Sequence, residues 1–421
     1  MQKILEVRER SKIKEMVFVF YYKYDIYSIG GIIMKLMKSL VLGSLIITSF
    51  CGCGKIKATV EVKNDLEYPV YSKVNLRDLI SINDGFISED KEVLLDKVGE
   101  NKITVDYQDY KKHKGKVEVS VNAYDKETPF LSMSSNVYKV VNSDFDLCSS
   151  AFYADNYDRD LECFINGDYD KNKIGNYRLE LVVKDQSGNE NRQNFTLHMI
   201  EKFNSNNNTA MPEGYDFKEA ITNYKNDKTM LGIDVSSFQG EIDWEKVKEA
   251  GVEFAIIRLG FGYTVNIELV LDKYFQENLK NAKDNGIQVG VYFYSYANEI
   301  EEVKKQAQFI VDNLEKEKLD LGVTFDWENW NNFKDYHVNL YDLDNMYNSF
   351  KKVLEDNGYK TMLYGSKFYL NNIWKTEDKD IWLAHYTSKT NYDKDYVMWQ
   401  FSDKGIVEGI NGFVDLDVLY K

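Results

Sequence analysis

Three regimes of apolar and polar patterning follow one another along the chain. Leu40 to Phe50 is an unbroken, mostly apolar run of eleven residues, too short for the roughly 20 residues that span a bilayer. From Ile56 to about Ala123, short segments such as ATVEVK, KEVLL, KITVDY and GKVEVSV alternate with period two, which predicts half-buried strands. A similar unit runs from about Tyr124 to Phe203 and closes with the strand YRLELVV, the turn DQSGN and a last strand. The third regime begins near Met230. Eight apolar or alternating segments follow: LGIDVS, EFAIIRLG, VGVYFYS, GVTFDWE, TMLYGS, IWLAHY, VMWQFS and VDLDVLY. Several are near-continuous hydrophobic runs, as strands covered on both faces are. Between the early ones, IDWEKVKEAG, DKYFQENLKNAKDNG, EEVKKQAQFIVDNLEK and LDNMYNSFKKVLEDNG carry helical apolar spacing. Strand–helix alternation predicts a parallel barrel or open sheet.

Spacing refines this. Successive gaps from Asp234 to Ile257, Tyr292, Asp326, Leu363, Leu383, Trp399 and Leu416 are 23, 35, 34, 37, 20, 16 and 17 residues. The last two cannot hold a full crossover helix and its strand. The expected fold is therefore multidomain. Its C-terminal part is an irregular α/β, TIM-like barrel of about five β/α units plus three strands, behind two small all-β domains. The expected boundaries are 54–123 and 124–203 for the β domains, 204–228 for a linker and 229–421 for the barrel. The linker opens with the asparagine-rich NSNNNTAMPEG, and its segment YDFKEAITNYK has the pattern of a short helix.

Composition narrows the function classes. A net charge of -15 and a pI near 5.0 argue against a nucleic-acid binder, which carries a basic footprint. The four cysteines form no C-x-x-C, no metal-ligand spacing appears and no cofactor is implied. Motifs of serine hydrolases, zincins and P-loop proteins are lacking. Cys148 and Cys163 are either a disulfide, if the chain works outside the cytoplasm, or two buried thiols.

Lys35 and Lys38, the apolar run and the small residues before Cys53 resemble a bacterial lipoprotein signal over residues 34–53. That resemblance implies lipidation of Cys53, export, and anchoring on the outer face of the cell membrane, facing the wall. A signal starting there leaves residues 1–33 outside the native product, with translation starting at Met34 or Met37. The closing hairpin of the second β unit resembles bacterial immunoglobulin-like repeats, so both β domains are expected to be immunoglobulin-like sandwiches that space the barrel from the membrane.

The segment VTFDWEN sets Asp326 and Glu328 two residues apart on one face of a strand end. A carboxyl pair suits glycosidic bond cleavage, in which one group protonates the leaving oxygen and another answers the developing positive charge. The plainer reading is a solvated or capping acid pair. Around it, GIDVSSFQG, FDWE, WLAHY and WQFSDKGIVEGINGFVDLDVLY match in order the motifs of glycoside hydrolase family 25, lysozymes of the N-acetylmuramidase type. The resemblance runs from about Met230 to Lys421.

It implies a peptidoglycan hydrolase cutting the β-1,4 bond between N-acetylmuramic acid and N-acetylglucosamine. Glu328 would be the general acid, Asp326 its tuning neighbour and Asp234 the second catalytic carboxylate. Asp415 would contact substrate, with Asp417 as the nearby alternative. Tyr292, Tyr294, Tyr364, Trp382, Tyr386 and Trp399 would line a sugar cleft or fill the barrel core. Arg258 would pair with a buried carboxylate, and His385 stands where the family more often has Gln. Peptidoglycan strands are the implied partner, and a monomer is expected. A catalytically silent wall-binding lipoprotein or adhesin is the competing reading.

Overall fold

The computed structural model describes residues 56–203, 214–262, 268–328 and 337–421. The signal-like segment, Cys53, residues 1–33 and the asparagine-rich stretch 204–213 lie outside the described residues.

By contact density the chain divides into two compact units. One comprises residues up to Asn64 with Asn75–Lys91 and Thr104–Val119, and the other comprises the rest. The expected first β domain is thus shared between them. In the smaller unit, Thr59–Val62 pairs antiparallel with Ile80–Asn83, and Gly85–Ile87 pairs with the end of Gly99–Asp109. A four-residue helix, Leu76–Leu79, interrupts the expected all-β pattern. The Asn75 side chain caps it by accepting the Arg77 N–H at 3.0 Å, which satisfies one of the donors a helix start leaves open.

In the larger unit, the second β region forms a four-stranded sheet in the order Asn136–Val140, Glu190–Ile200, Gly175–Lys184, Glu162–Asn166. A two-stranded ribbon, Phe130–Met133 with Ala151–Ala154, accompanies it. The period-two pattern works as expected: Leu179, Leu181 and Val183 turn to one core with Phe195, Leu197 and Met199. On the other face Arg192 reaches Glu180 at 2.9 Å. Cys148 and Cys163 are joined as a disulfide.

All eight C-terminal segments are strands of one closed sheet. They are β1 (Thr229–Val235), β2 (Phe254–Gly262), β3 (Gln288–Tyr294), β4 (Val323–Asp326), β5 (Thr361–Ser366), β6 (Ile381–Ala384), β7 (Met398–Ile406) and β8 (Val414–Tyr420). Neighbours from β1 to β7 pair in parallel. β8 runs antiparallel between β7 and β1 and closes the ring, with Asp415 opposite Asp234. Helices α1 (Trp244–Glu249), α2 (Phe275–Asp284), α3 (Ile300–Leu314), α4 (Leu340–Asp356) and α5 (Lys367–Asn372) follow the first five strands, and no helix follows β6 or β7.

Helices form where an apolar stripe meets a cap. In α4, Leu343, Met346, Tyr347, Phe350 and Leu354 are buried along one face, and Asn339 accepts the Asp342 N–H at 2.7 Å. Strand alternation sorts the rest into two cores. Leu231, Ile233, Val235, Val323 and Phe325 point outward to the helices. Met230, Phe254, Ile256, Met362, Trp382 and Met398 plug the barrel from within. Gly232 makes room for that plug, since a Cβ there would meet the Phe254 ring at 2.5 Å.

One expected boundary moves. Tyr215–Asp216 adds to β7 in parallel, and the helix Phe217–Tyr224 buries Phe217 and Ala220 in the outer barrel core. The Tyr224 ring lies 4.6 Å from Phe401. Residues 215–228 therefore belong to the barrel and not to the linker: their apolar face has a partner that the local sequence does not reveal.

Candidate active site

The inward face changes character along the barrel. The plug occupies one end. The C-terminal ends of the parallel strands carry Asp234, Arg258, Tyr292, Tyr294, Asp326, Tyr364 and Gln400, with Glu328 just past β4. Because β8 runs the other way, its early residues reach the same mouth: Asp415 sits opposite Asp234, while Asp417 lies one step deeper, opposite Gly232 and Gln400. The chain ordering of a parallel barrel thus gathers acids that are far apart in sequence.

Asp326 and Glu328 are not equivalent. Asp326 is 5% exposed and its Oδ1 has no hydrogen-bond partner. Burial, and then the Glu328 charge, push its carboxyl well above the usual range, with Arg258 opposing. Glu328 is half-buried at the rim, and burial raises its carboxyl as well. The flanking outward residue, Trp327, is fully buried and anchors the segment by donating Nε1–H to the Ala297 carbonyl at 2.9 Å. Tyr369 donates its hydroxyl to the Glu328 carbonyl at 2.8 Å. The pair is fixed from behind, leaving Glu328 free to face a substrate.

Asp234 is clamped. Gln400 Nε2 donates to its Oδ2 at 2.7 Å. Gln400 Oε1 in turn accepts the hydroxyls of Tyr364 at 2.9 Å and Tyr386 at 3.0 Å. Gln400 is a site residue that the sequence reading missed. The signal was present: one polar residue between Trp399 and Phe401, at the inward parity of an apolar strand. Asp417 accepts Trp382 Nε1–H at 2.8 Å, and its other oxygen has no conventional donor. Burial and the charges of Asp415 and Asp417 drive Asp234 well upward. A proton shared between the Asp234 and Asp417 carboxyls would satisfy the orphaned oxygen and remove one charge from the cluster. Asp415 is pushed up to about 7 by burial, then by the charges of Asp403 and Glu328.

The aromatics separate into three groups. Tyr294 is half-buried at the mouth and meets Tyr296 edge-on at 4.9 Å. Tyr386 is 52% exposed, and Phe238, in the loop after β1, is 85% exposed with the Arg258 guanidinium 5.0 Å from its ring centre. These rings rim the opening, and Phe238 and Tyr296 were not anticipated. Tyr292, Tyr364 and Trp382 lie within the barrel, where Trp382 is 2% exposed; it serves the site from below, through Asp417. Trp399 departs from the expected cleft role. Its parity is opposite to that of Gln400, so it points out of the barrel, is buried against Tyr224 and Phe401, and donates Nε1–H to the His385 carbonyl.

Arg258 does pair with a carboxylate, but with Asp272 (2.7 Å) outside the acidic cluster, and it also donates to Ser237 Oγ at 2.9 Å. His385 contacts Thr390 Oγ1 at 2.9 Å through Nδ1 within its loop.

A ring of buried acids, one of them half-buried at the rim with its carboxyl raised by burial, can donate a proton to a leaving oxygen and face a positive centre with carboxylate density. Residues 233–410 match the family model for Glycosyl hydrolases family 25. The chain is also 30% identical over 200 residues to the uncharacterized protein YegX of Escherichia coli K12, covering 45% of this chain and 69% of that protein. The chain belongs to glycosyl hydrolase family 25. Another relative, the autolytic lysozyme of Clostridium acetobutylicum, is 31% identical over 191 residues, which is 45% of this chain and 55% of that lysozyme; the chain thus spans about half its length. Among solved structures, a family 25 glycosyl hydrolase from Bacillus anthracis shares 26% identity, with 47% of this chain and 92% of that chain covered, at a TM-score of 0.41.

Proposed function

We propose that this chain is a peptidoglycan hydrolase cleaving the β-1,4 bond between N-acetylmuramic acid and N-acetylglucosamine. The observation that carries the reading is the asymmetry of the D-x-E pair: Glu328 half-buried at the rim with its carboxyl raised by burial, Asp326 sealed beneath it. In this reading Glu328 protonates the leaving glycosidic oxygen. Asp326, sealed beneath Glu328 and itself raised by burial and by the Glu328 charge, backs the rim acid from below. Asp234, oriented by Gln400, faces the anomeric centre as positive charge develops. Asp415 and the rings of Tyr294 and Tyr386 hold the sugars, an aromatic face and polar tip suiting a pyranose.

The test is mass spectrometry of products released from purified peptidoglycan. New reducing muramic ends are expected with the wild-type chain, and Glu328→Gln is expected to lose about 10²–10⁴-fold in rate with unchanged circular dichroism. No release by the wild type, or equal release by both, overturns the assignment and favours a silent wall-binding protein.

The site of action belongs to the same proposal. Cell-wall substrate places the enzyme outside the cytoplasm, the Cys53 signal-like segment supplies an anchor, and the β regions serve as immunoglobulin-like spacers. Labelled palmitate is expected to enter the chain in cells and to be absent from Cys53→Ala; label in both would remove the anchor.

A further inference from the structure

Four aspartates outside the barrel gather at one point of the second β region. Asp125 follows its preceding strand, Asp155 and Asp158 lie in the loop after Ala151–Ala154, and Asp185 opens the DQSGN turn. One carboxylate oxygen from each lies within 4.8 Å of the others, and all four residues are buried. Oxygens sharing one calcium ion at 2.3–2.6 Å can be at most about 5 Å apart, so the spacing fits a common ion.

Each carboxylate spends oxygens on nearby backbone N–H groups. Asp155 Oδ1 accepts the N–H groups of Tyr157 and Asp158 at 2.9 and 2.8 Å. Asp158 Oδ2 accepts from Gln186 N–H at 2.9 Å, and Asp185 Oδ1 from Asn189 N–H at 2.7 Å. Asp125 Oδ1 accepts from Glu127 N–H at 3.1 Å. Asp185 Oδ2 also accepts Asn189 Nδ2–H at 2.7 Å, and Asp125 Oδ1 accepts Asn156 Nδ2–H at 3.3 Å. Asp155 is 1% exposed and Asp125 8%, yet Oδ2 of each has no hydrogen-bond partner, nor has the buried Oδ1 of Asn156. Such orphaned buried oxygens each cost stability unless something else binds them. Among the described residues no lysine or arginine forms a salt bridge to any of the four.

We propose that Asp125, Asp155, Asp158 and Asp185 form a calcium site. An all-oxygen donor set without His or Cys selects a hard cation. Calcium takes six to eight oxygens including several carboxylates, whereas magnesium keeps most of its waters and uses one or two carboxylates. The ion also has a mechanical consequence. The loop it gathers holds the start of α4: the Asp155 carbonyl accepts Leu340 N–H at 2.8 Å, the Tyr157 carbonyl accepts Asn339 Nδ2–H, and Arg159 bridges Asp342 at 2.7 Å. Calcium would therefore fasten the β region to the barrel helix that follows the strand bearing Asp326.

The full chain, purified in detergent, stripped with EDTA and desalted, tests this by equilibrium dialysis against radioactive calcium and by thermal melting. One bound calcium per chain is expected, with a dissociation constant of about 10⁻⁴–10⁻³ M or tighter, the upper range being that of extracellular modules. A saturable rise in melting temperature should accompany it. Asp155→Asn with Asp185→Asn should lose both responses, while Glu328→Gln should keep them, which separates this site from the proposed hydrolase chemistry. No calcium bound by the wild type at about 1 mM, ten times the tighter of those constants, overturns the proposal. So does an equal response to magnesium alone, or undiminished binding by the double variant. Should the double variant not fold, the wild-type stoichiometry and its magnesium control decide.

Discussion

Glu328 and Asp326 illustrate how two residues of similar chemistry become different groups by position alone. Two positions at the end of β4 separate a half-buried rim acid from a sealed one. Gln400 does comparable sorting for Asp234, since its amide donates and so favours the anion against burial and two neighbouring carboxyls. Replacing Gln400 by Leu removes that donor and strands the Tyr364 and Tyr386 hydroxyls. The Asp234 carboxyl then rises further, its anionic fraction falls at a given pH, and the acidic limb of the pH–rate profile should move to higher pH. The alkaline limb, set by loss of the Glu328 proton, should stay. A loss of about 10–100-fold in kcat/KM is expected for a hydrogen bond to a charged group. An unchanged acidic limb would detach Gln400 from Asp234. The D-x-E pair was legible in the sequence because its partner is two residues away. Gln400 and Asp272 were not, since their partners lie 166 and 14 residues off and nothing local marks the pairing.

At the scale of elements, legibility followed periodicity. All eight barrel strands and the change from five β/α units to three bare strands could be read from apolar runs and gap lengths. What misled was the neighbour an element finds. YDFKEAITNYK reads as linker because its apolar face has no partner in isolation, and Trp399 reads as cleft or barrel core because aromatic identity alone does not say which side of the sheet a ring takes. The β region adds an element-scale prediction. The disulfide joins the turn Cys148–Ser150 to the strand Glu162–Asn166 and closes a loop of 15 residues. A loop of that length is worth about 3 kcal/mol by restricting the unfolded chain. Cys148→Ser with Cys163→Ser should lower the first calorimetric transition while leaving glycan cleavage by the barrel intact. A melting profile identical to the wild type would mean the crosslink contributes nothing.

The whole barrel carries a cost for its acidic mouth. Folded, Asp415 keeps its proton up to about 7, whereas its ordinary value is 3.8. A group raised in this way contributes its full stability below about pH 4 and loses it as pH rises through 7. Asp415→Asn fixes the neutral form. It should therefore melt a few degrees above the wild type at pH 7.5, on the scale of 2–4 °C per kcal/mol for a domain of this size, and match it near pH 4. Activity should fall, as is common where stability and a strained site compete. A lower melting point at both values would contradict the repulsion argument.

The closing strand has a consequence for biosynthesis. β8 is the last barrel strand to be translated, yet it must fit between the seventh and the first, and it delivers Asp415 and Asp417. While the ribosome is still reading the earlier β/α units, β1 has an open edge, and Asp234 lacks the two carboxyls that push its proton affinity up. The acidic pocket proposed as the active site is therefore incomplete on a nascent chain. Its full set of carboxylates is assembled only by ring closure, after the rest of the barrel has been made.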